Sequence, residues 1–207
     1  MSDSIRRIYN SIDRLFDIQA IPKVLRYSRD GGESRTPKTA LQAFHLVQPL
    51  VRELDWQSQL KMIVSQQGLT ANGASAHWEF FFNLVRRRAE VVCEWVLSWD
   101  EATDDYGQVN LEIAVNPFPS VNSPIREAVR EGKLLYQQMI GMWRQECRRR
   151  PTLPNKFRDT EIVLADFVRQ GLDTTQVEFS LSTGQSPQGQ LCWIAQTRNA
   201  TYYSPFA

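Results

Sequence analysis

The sequence predicts an α+β protein with an antiparallel sheet of about five or six strands and packing helices. Between residues 78 and 115, bulky apolar side chains alternate with mostly polar ones in three successive runs. Segments 36–54 and 159–168 instead space their apolar residues as a helix does. A period of two is typical of a strand with one buried face, and a period of 3.6 is typical of an amphipathic helix.

The first predicted elements are helices. Residues 5–16 place isoleucine, leucine and phenylalanine at helical spacing, which predicts a short amphipathic helix packed on the body of the protein. Thr36 followed by Pro37 predicts the start of a second helix, because threonine can cap free amides and proline has no amide to leave unpaired. Its apolar stripe continues to Leu54, and we expect Pro49 to kink or split it.

Four strands are predicted to follow. The first spans Leu60 to Val64, and the next three form an antiparallel meander because short polar turns separate them. The predicted buried face of this meander contains Trp78, Phe80, Phe82 and Leu84, then Ala89, Val91, Cys93, Trp95, Leu97 and Trp99, and finally Val109, Leu111, Ile113 and Val115.

The second half repeats this order on a smaller scale. A long helix is predicted over 124–147, and a shorter helix begins at Asp159 and ends before Gly171, a residue favoured just after a helix. Two short apolar runs, 177–181 and 191–195, with a glycine-containing turn between them, predict a closing hairpin.

This repeated order bears on domain organisation. We expect one α+β domain over 1–207, and the pattern allows two related units, 36–116 and 159–207, linked by helix 124–147. The residues that mark this repeated order are Trp56, Leu60, Gly73, Ser75, Trp78, Phe80 and Phe82, with Phe167, Gly171, Gly189 and Trp193 in the second half. Through these residues the chain resembles the PepSY-like group of small helix-plus-meander units. The resemblance implies a module that binds or inhibits a protein rather than a catalyst.

Composition excludes several classes of protein. Because 42% of the residues are hydrophobic, the chain can bury a core. The net charge of +1 gives no general attraction to nucleic acid or acidic lipid, which argues against a nucleic-acid partner. The sequence has no export signal and no apolar run long enough to span a membrane, so we expect a cytoplasmic protein. Cys93, Cys147 and Cys192 are predicted to be reduced thiols packed as small hydrophobes.

Reactive groups are sparse. His45 and His77 are the only histidines, and the sequence pairs neither of them with a nucleophile or a zinc-ligand spacing. The acidic run over 100–105 lacks the spacing of a calcium loop and is typical of a solvated hairpin turn. We therefore predict no catalytic residue, no metal ligand and no cofactor.

The leading hypothesis is a non-catalytic protein-binding module, such as an assembly factor, adaptor or regulator of a larger complex. Phe81, Val92 and Val96 alternate with the buried set, so they lie on the opposite face of the sheet. An apolar second face must be covered or must meet a partner. In the alternative to a partner, the predicted helix 5–16 covers this apolar face. We predict that Phe81, Val92 and Val96 contact another protein. Arg86, Arg87 and Arg88, in the turn between the two strands, are predicted to take part in the same contact.

Two other functions stay open. An enzyme or small-ligand carrier would have a pocket between the sheet and the long helix, with His77, Glu79, Glu94 or Tyr136 as its polar groups. RNA binding through Arg86 to Arg88 and the second arginine triplet, 148–150, would weaken steeply with added salt.

Overall fold

The structure is a computed structural model with two described helices, α1 (Ala40–Leu54) and α2 (Thr160–Arg169). It describes the backbone of residues 23–30, 36–65, 69–86, 89–100, 103–115, 149–174 and 179–207, and the side chains within 36–65, 69–86, 90–97, 149–174 and 179–207. Its strands are β1 (Lys23–Asp30), β2 (Gln59–Ser65), β3 (His77–Leu84), β4 (Ala89–Asp100), β5 (Thr103–Val115), β6 (Ser180–Gln185), β7 (Leu191–Gln196) and β8 (Thr201–Pro205).

The strands form one open antiparallel sheet in the order β1-β5-β4-β3-β2-β6-β7-β8. This confirms the predicted α+β class and its antiparallel sheet. The six predicted strands correspond to β2 through β7, and β1 and β8 add one strand at each edge. Pairing of Val64 with Ser182 and of Ser65 with Leu181 joins β2 to β6. The two halves of the chain therefore share one sheet.

The core lies between the sheet and α1. Trp78 pairs with Trp95 and Phe80 with Cys93, so the large side chains of β3 and β4 share one face, and all four are fully buried. The ring of Phe44 on α1 lies 5.7 Å from the ring of Phe80. The predicted buried face of the meander is confirmed for the described residues of β3 and β4.

An aromatic cluster continues this core into the second half. The ring of Phe157 lies 5.3 Å from that of Phe44, 5.8 Å from that of Trp193 and 5.4 Å from that of Phe206. Trp193 belongs to β7, and Phe206 directly follows β8. Large aromatic side chains dominate the energy of a core, so Phe157 links the hydrophobic contacts of the two halves.

Helix α1 begins later than the sequence predicts. Thr39, not Thr36, is the N-cap, and it forms a capping box with Gln42. The prediction was wrong because Lys38 is still extended. Its N–H donates to the carbonyl of Ser75 at 3.1 Å and its carbonyl accepts from the N–H of Ser75 at 2.8 Å, so the chain turns helical only after that bridge.

Pro49 neither splits α1 nor ends it. The helix is continuous to Leu54 although Pro49 lies inside it. Pro49 is exposed, whereas Val47, Leu50 and Val51 around it are fully buried. Burial of a valine or leucine side chain stabilises by about 1.5–3 kcal/mol, which offsets the cost of about 3 kcal/mol for an interior proline.

Helix α2 has the predicted ends. Asp159 is its N-cap and accepts a hydrogen bond from the N–H of Thr160 at 2.8 Å. Gln170 is the C-cap, and Gly171 follows with φ of +98°, which is the left-handed conformation that glycine adopts without strain.

A polar network fixes α2 to the edge strand β8. The hydroxyl of Ser204 donates to Asp166 Oδ2 at 2.6 Å, and Nη1 of Arg158 lies 2.7 Å from the same oxygen. Arg169 forms an ion pair with Oδ1 of Asp166. These hydrogen bonds and charges hold the pKa of Asp166 below its ordinary value of 3.8.

We expect this network to make the fold sensitive to acid. Because the pKa of Asp166 is lower in the folded chain than in the unfolded chain, its contribution to stability is complete above pH 3.8 and is lost as the pH falls through the folded value. Urea unfolding between pH 2 and 7 should show a smaller acid loss for Asp166→Asn than for the wild type. Glu161→Gln, on the exposed face of α2, is the control. Parallel curves for Asp166→Asn and the wild type would contradict this role.

Some predictions lie outside the described residues. These are helix 5–16, helix 124–147 and Cys147. Cys93 and Cys192 are both buried, as expected. The division into units 36–116 and 159–207 stays a prediction. No described helix is both long and apolar enough to cross a membrane.

Candidate functional site

The face of β3 and β4 turned away from α1 carries a mixed set of polar and apolar side chains, which we call the second face. The strand register pairs His77 with Val96 and Glu79 with Glu94. Directly paired residues project to the same side of an antiparallel sheet. The next pair on this side is Phe81 with Val92.

The residues predicted to contact a partner fall in two places. Phe81, Val92 and Val96 all lie on the second face, where Phe81 is only 8% exposed and the two valines are partly exposed. Arg86 is exposed in the turn after β3. Arg87 and Arg88 lie outside the described residues, as does helix 5–16, the alternative cover for this face.

Three ionisable side chains converge at one end of the second face. Nε2 of His77 lies 3.9 Å from Oε1 of Glu79 and 4.0 Å from Oε1 of Glu94. One nitrogen or oxygen atom from each of the three side chains lies within 4.8 Å of the other two. We call this set the His77 cluster. Imidazole nitrogen and carboxylate oxygen are both metal ligands, so the set can hold a cation.

Burial and neighbouring charges in the His77 cluster raise the pKa of Glu79 above its ordinary value. Burial raises the pKa of Glu79, the positive form of His77 lowers it, and the negative charge of Glu94 raises it again. Nε2 of His77 is inaccessible to solvent and has no hydrogen-bond partner among the described residues. Buried polar atoms almost always have a partner, so this nitrogen calls for an explanation.

The sequence predicts these three residues only as polar groups of a possible pocket. His77 and Glu79 stand two apart in one predicted strand, which places them on one face. Glu94 joins them only because it pairs directly with Glu79. Tyr136, the fourth expected group, lies outside the described residues.

A buried carboxylate organises two turns at the opposite end of these strands. Asp55 is 3% exposed, and it accepts a hydrogen bond from the N–H of Gln57 at 2.9 Å and from the N–H of Arg86 at 2.7 Å. It thus joins the turn after α1 to the turn after β3. We call three exposed residues of these two turns, Trp56, Val85 and Arg86, the Asp55 corner.

The Asp55 corner includes a large exposed side chain that sequence reasoning missed as a contact residue. Trp56 is 67% exposed and Val85 is 39% exposed. The one available signal was the polar setting of Trp56, which lies between Asp55 and Gln57 immediately after the apolar stripe of α1 ends. Single exposed apolar residues are ordinary, but the indole of Trp56 projects from a turn whose backbone is hydrogen-bonded to Asp55.

A cavity of about 360 Å³ lies elsewhere, between β2 and β6 on one side and residues 149–153 on the other. Its cationic lining comes from Lys61, Arg149 and Arg150. Lys61 donates to the hydroxyl of Thr152 at 2.7 Å, and Arg150 donates to the carbonyl of Thr183 at 3.0 Å. Two of the three cations are therefore engaged in holding segment 149–153 against the sheet. Of the residues expected around a ligand pocket, the described ones, His77, Glu79 and Glu94, do not line this cavity.

Comparison with known proteins identifies no relative of this chain. No family model matches the chain, and none of the curated proteins or solved structures searched matches it. The similarity to PepSY-like units therefore stays a prediction from the sequence, and function must be argued from the geometry of this chain alone.

Proposed function

We propose that this protein is a non-catalytic protein-binding module, such as an assembly factor, adaptor or regulator of a larger complex, and that the Asp55 corner is its principal contact. The observation that carries the proposal is the exposure of Trp56 at a position fixed by the buried Asp55. Tryptophan and arginine are the residue types most enriched among those that dominate binding energy, and the corner presents one of each.

Rigid geometry supports this role. Binding must overcome the free-energy cost of ordering any flexible loop at the interface. The two turns at the corner are already held by hydrogen bonds to Asp55, so their backbone is ordered before a partner arrives. The partner that fits is a protein surface with an apolar pocket for Trp56 and a carboxylate for Arg86.

The apolar part of the second face belongs to the same proposal in a secondary role. Val92 and Val96 are partly exposed, and Phe81 offers little area because it is 8% exposed. We also propose a cytoplasmic location. The burial of Cys93 and Cys192 as thiols supports it, since thiols stay reduced in that compartment.

Affinity capture with matched baits tests the proposal. We expect Trp56→Ser to weaken capture of a specific partner about 30-fold or more, because truncating a dominant contact residue costs about 2 kcal/mol or more. Ile162→Ser, which changes a 51% exposed residue on α2, is the control and should capture the partner as the wild type does. Affinities of the purified pair, measured by calorimetry, give the comparison.

Both substitutions alter exposed side chains, so we expect the free energy of unfolding to change by less than about 0.5 kcal/mol. Thermal unfolding of each bait verifies this point. Equal partner affinity for wild type and Trp56→Ser would exclude the Asp55 corner as the contact. Turnover of a defined small substrate, with no specific partner captured, would exclude the whole proposal.

One observation favours the second candidate, a small-ligand carrier or enzyme. His77, Glu79 and Glu94, which that function would use, lie together on the second face. Their chemistry suits a cation better than an organic molecule, because all three are metal-ligating groups.

A further inference from the structure

We propose that the His77 cluster binds one divalent transition-metal ion, of which Zn²⁺ is the representative. This inference concerns a different region from the Asp55 corner and does not depend on a protein partner. It rests on three side chains, His77, Glu79 and Glu94, which lie close together on the adjacent strands β3 and β4.

The spacing of the donor atoms fits an ion between them. Bonds from Zn²⁺ to nitrogen and oxygen are about 2.0–2.2 Å, so neighbouring ligand atoms of a tetrahedral site lie about 3.4 Å apart. The two distances from Nε2 of His77, 3.9 and 4.0 Å, are slightly longer than that. Small rotations of the two glutamate side chains close this gap without a change in the strands.

A cation also resolves three unfavourable features at once. Glu79 and Glu94 are directly paired across the strands, and like charges in that position destabilise a sheet. Glu79 is partly removed from water, which disfavours its charged form. Nε2 of His77 has no hydrogen-bond partner among the described residues, although it is shielded from solvent. A bound cation supplies a partner to the nitrogen and neutralises both carboxylates.

The donor set selects the class of ion. Ca²⁺ takes six to eight oxygen ligands, and Mg²⁺ requires a near-octahedral oxygen shell. One imidazole with two carboxylates suits Zn²⁺ and related transition metals better. Three protein ligands leave a fourth position of a tetrahedral ion to water or to a group of another molecule, the arrangement of open rather than purely structural zinc sites.

Calorimetric titration of chelator-treated protein with ZnCl₂ tests the proposal. We expect one Zn²⁺ per chain. Glu79→Gln and Glu94→Gln should each weaken Zn²⁺ binding at least about 10-fold. Removing a group that only orients a metal ligand already costs about 10-fold or more in metal affinity, and removing the ligand itself should cost at least as much. His45→Ala is the matched control, because His45 is the other histidine of the chain and is exposed on α1. It should retain wild-type affinity.

A stability measurement separates loss of the ion from loss of the fold. Without metal, Glu79→Gln should unfold at the same temperature as the wild type or a higher one, because burial and the charge of Glu94 both disfavour the ionised Glu79. With ZnCl₂ the wild type and His45→Ala should gain thermal stability and Glu79→Gln should gain much less.

Several results would overturn the site. The first is the absence of Zn²⁺ binding by the metal-free wild type. The second is equal affinity for the wild type and both glutamine variants, which would mean that the ion binds elsewhere, for example at Cys93 or Cys192. Equal binding of CaCl₂ or MgCl₂ would overturn the assignment to transition metals.

Discussion

Gly73→Ala is expected to destabilise the protein by about 2–5 kcal/mol. Gly73 lies in the loop between β2 and β3, and its φ is +72°. A Cβ atom added there would lie 2.5 Å from the backbone nitrogen of Glu161 and 2.5 Å from the carbonyl carbon of Thr160. Those atoms belong to the first turn of α2 and cannot yield as a flexible side chain does. Overpacking costs about 1–3 kcal/mol and the left-handed backbone adds about 1–2 kcal/mol for alanine.

A hydrogen bond explains why the loop approaches α2 so closely. The hydroxyl of Thr160 donates to the carbonyl of Gly73 at 2.5 Å, and the same oxygen of Thr160 accepts from the N–H of Ala40 at 3.1 Å. Thr160 is fully buried, so displacing the loop would leave its hydroxyl unsatisfied. Relief of the clash by loop movement therefore carries its own cost.

Gly171→Ala is the matched control. Gly171 has φ of +98°, but no atom lies within 4 Å of the position of an added Cβ. This variant should lose only about 1–2 kcal/mol, the cost of the backbone conformation. Urea unfolding of both variants measures the difference. If Gly73→Ala loses no more than Gly171→Ala, the close approach to α2 is not what requires glycine at position 73.

Strands β2 to β7 could be predicted because their signal is local. Trp78, Phe80 and Phe82 stand at every second position within one short segment, and every one of them is buried. A period of two requires no knowledge of the rest of the chain. The same holds for α2, whose capping aspartate and terminal glycine are adjacent to the residues they affect.

The edge strands were missed for a physical reason. An edge strand pairs on one side only, so less of it needs to be apolar. Strand β8 (Thr201–Pro205) contains Pro205, which is tolerated at an edge but argues against a central strand. Strand β1 (Lys23–Asp30) contains four charged residues among eight. In both cases the pairing partner, which the sequence does not reveal, determines the structure.

The candidate sites depended on non-local information. The second face could be assigned to Phe81, Val92 and Val96 from alternation, but the meeting of Glu79 with Glu94 follows from the register between β3 and β4. A shift of one residue would move Glu94 to the core face. The Asp55 corner likewise depends on Asp55 accepting a hydrogen bond from Arg86, 31 residues further along the chain. Neither relation can be seen in a single segment.

Asp159→Ala is expected to cost about 2–4 kcal/mol, because one carboxylate serves the N-termini of both helices. Asp159 caps α2, and it also accepts from the hydroxyl of Thr39 at 2.7 Å and from the N–H of Leu41 at 3.1 Å in the first turn of α1. Loss of an N-cap costs about 0.5–2 kcal/mol, and a hydrogen bond to a charged group contributes about 1.5–3 kcal/mol. The positive ends of both helix dipoles favour its negative charge.

Comparison of Asp159→Ala, Asp159→Asn and Glu161→Ala isolates the contribution of the hydrogen bonds that join the two helices. Asp159→Asn keeps an oxygen acceptor but removes the charge, so its loss of stability should fall between those of Asp159→Ala and Glu161→Ala. Glu161 is the control because it is acidic, lies in the first turn of α2 and is exposed. Its removal should cost about 0.3–1 kcal/mol, the helix-dipole contribution alone. Equal losses for Asp159→Ala and Glu161→Ala in urea unfolding would mean that general helix electrostatics, rather than the bonds joining the two helices, accounts for Asp159.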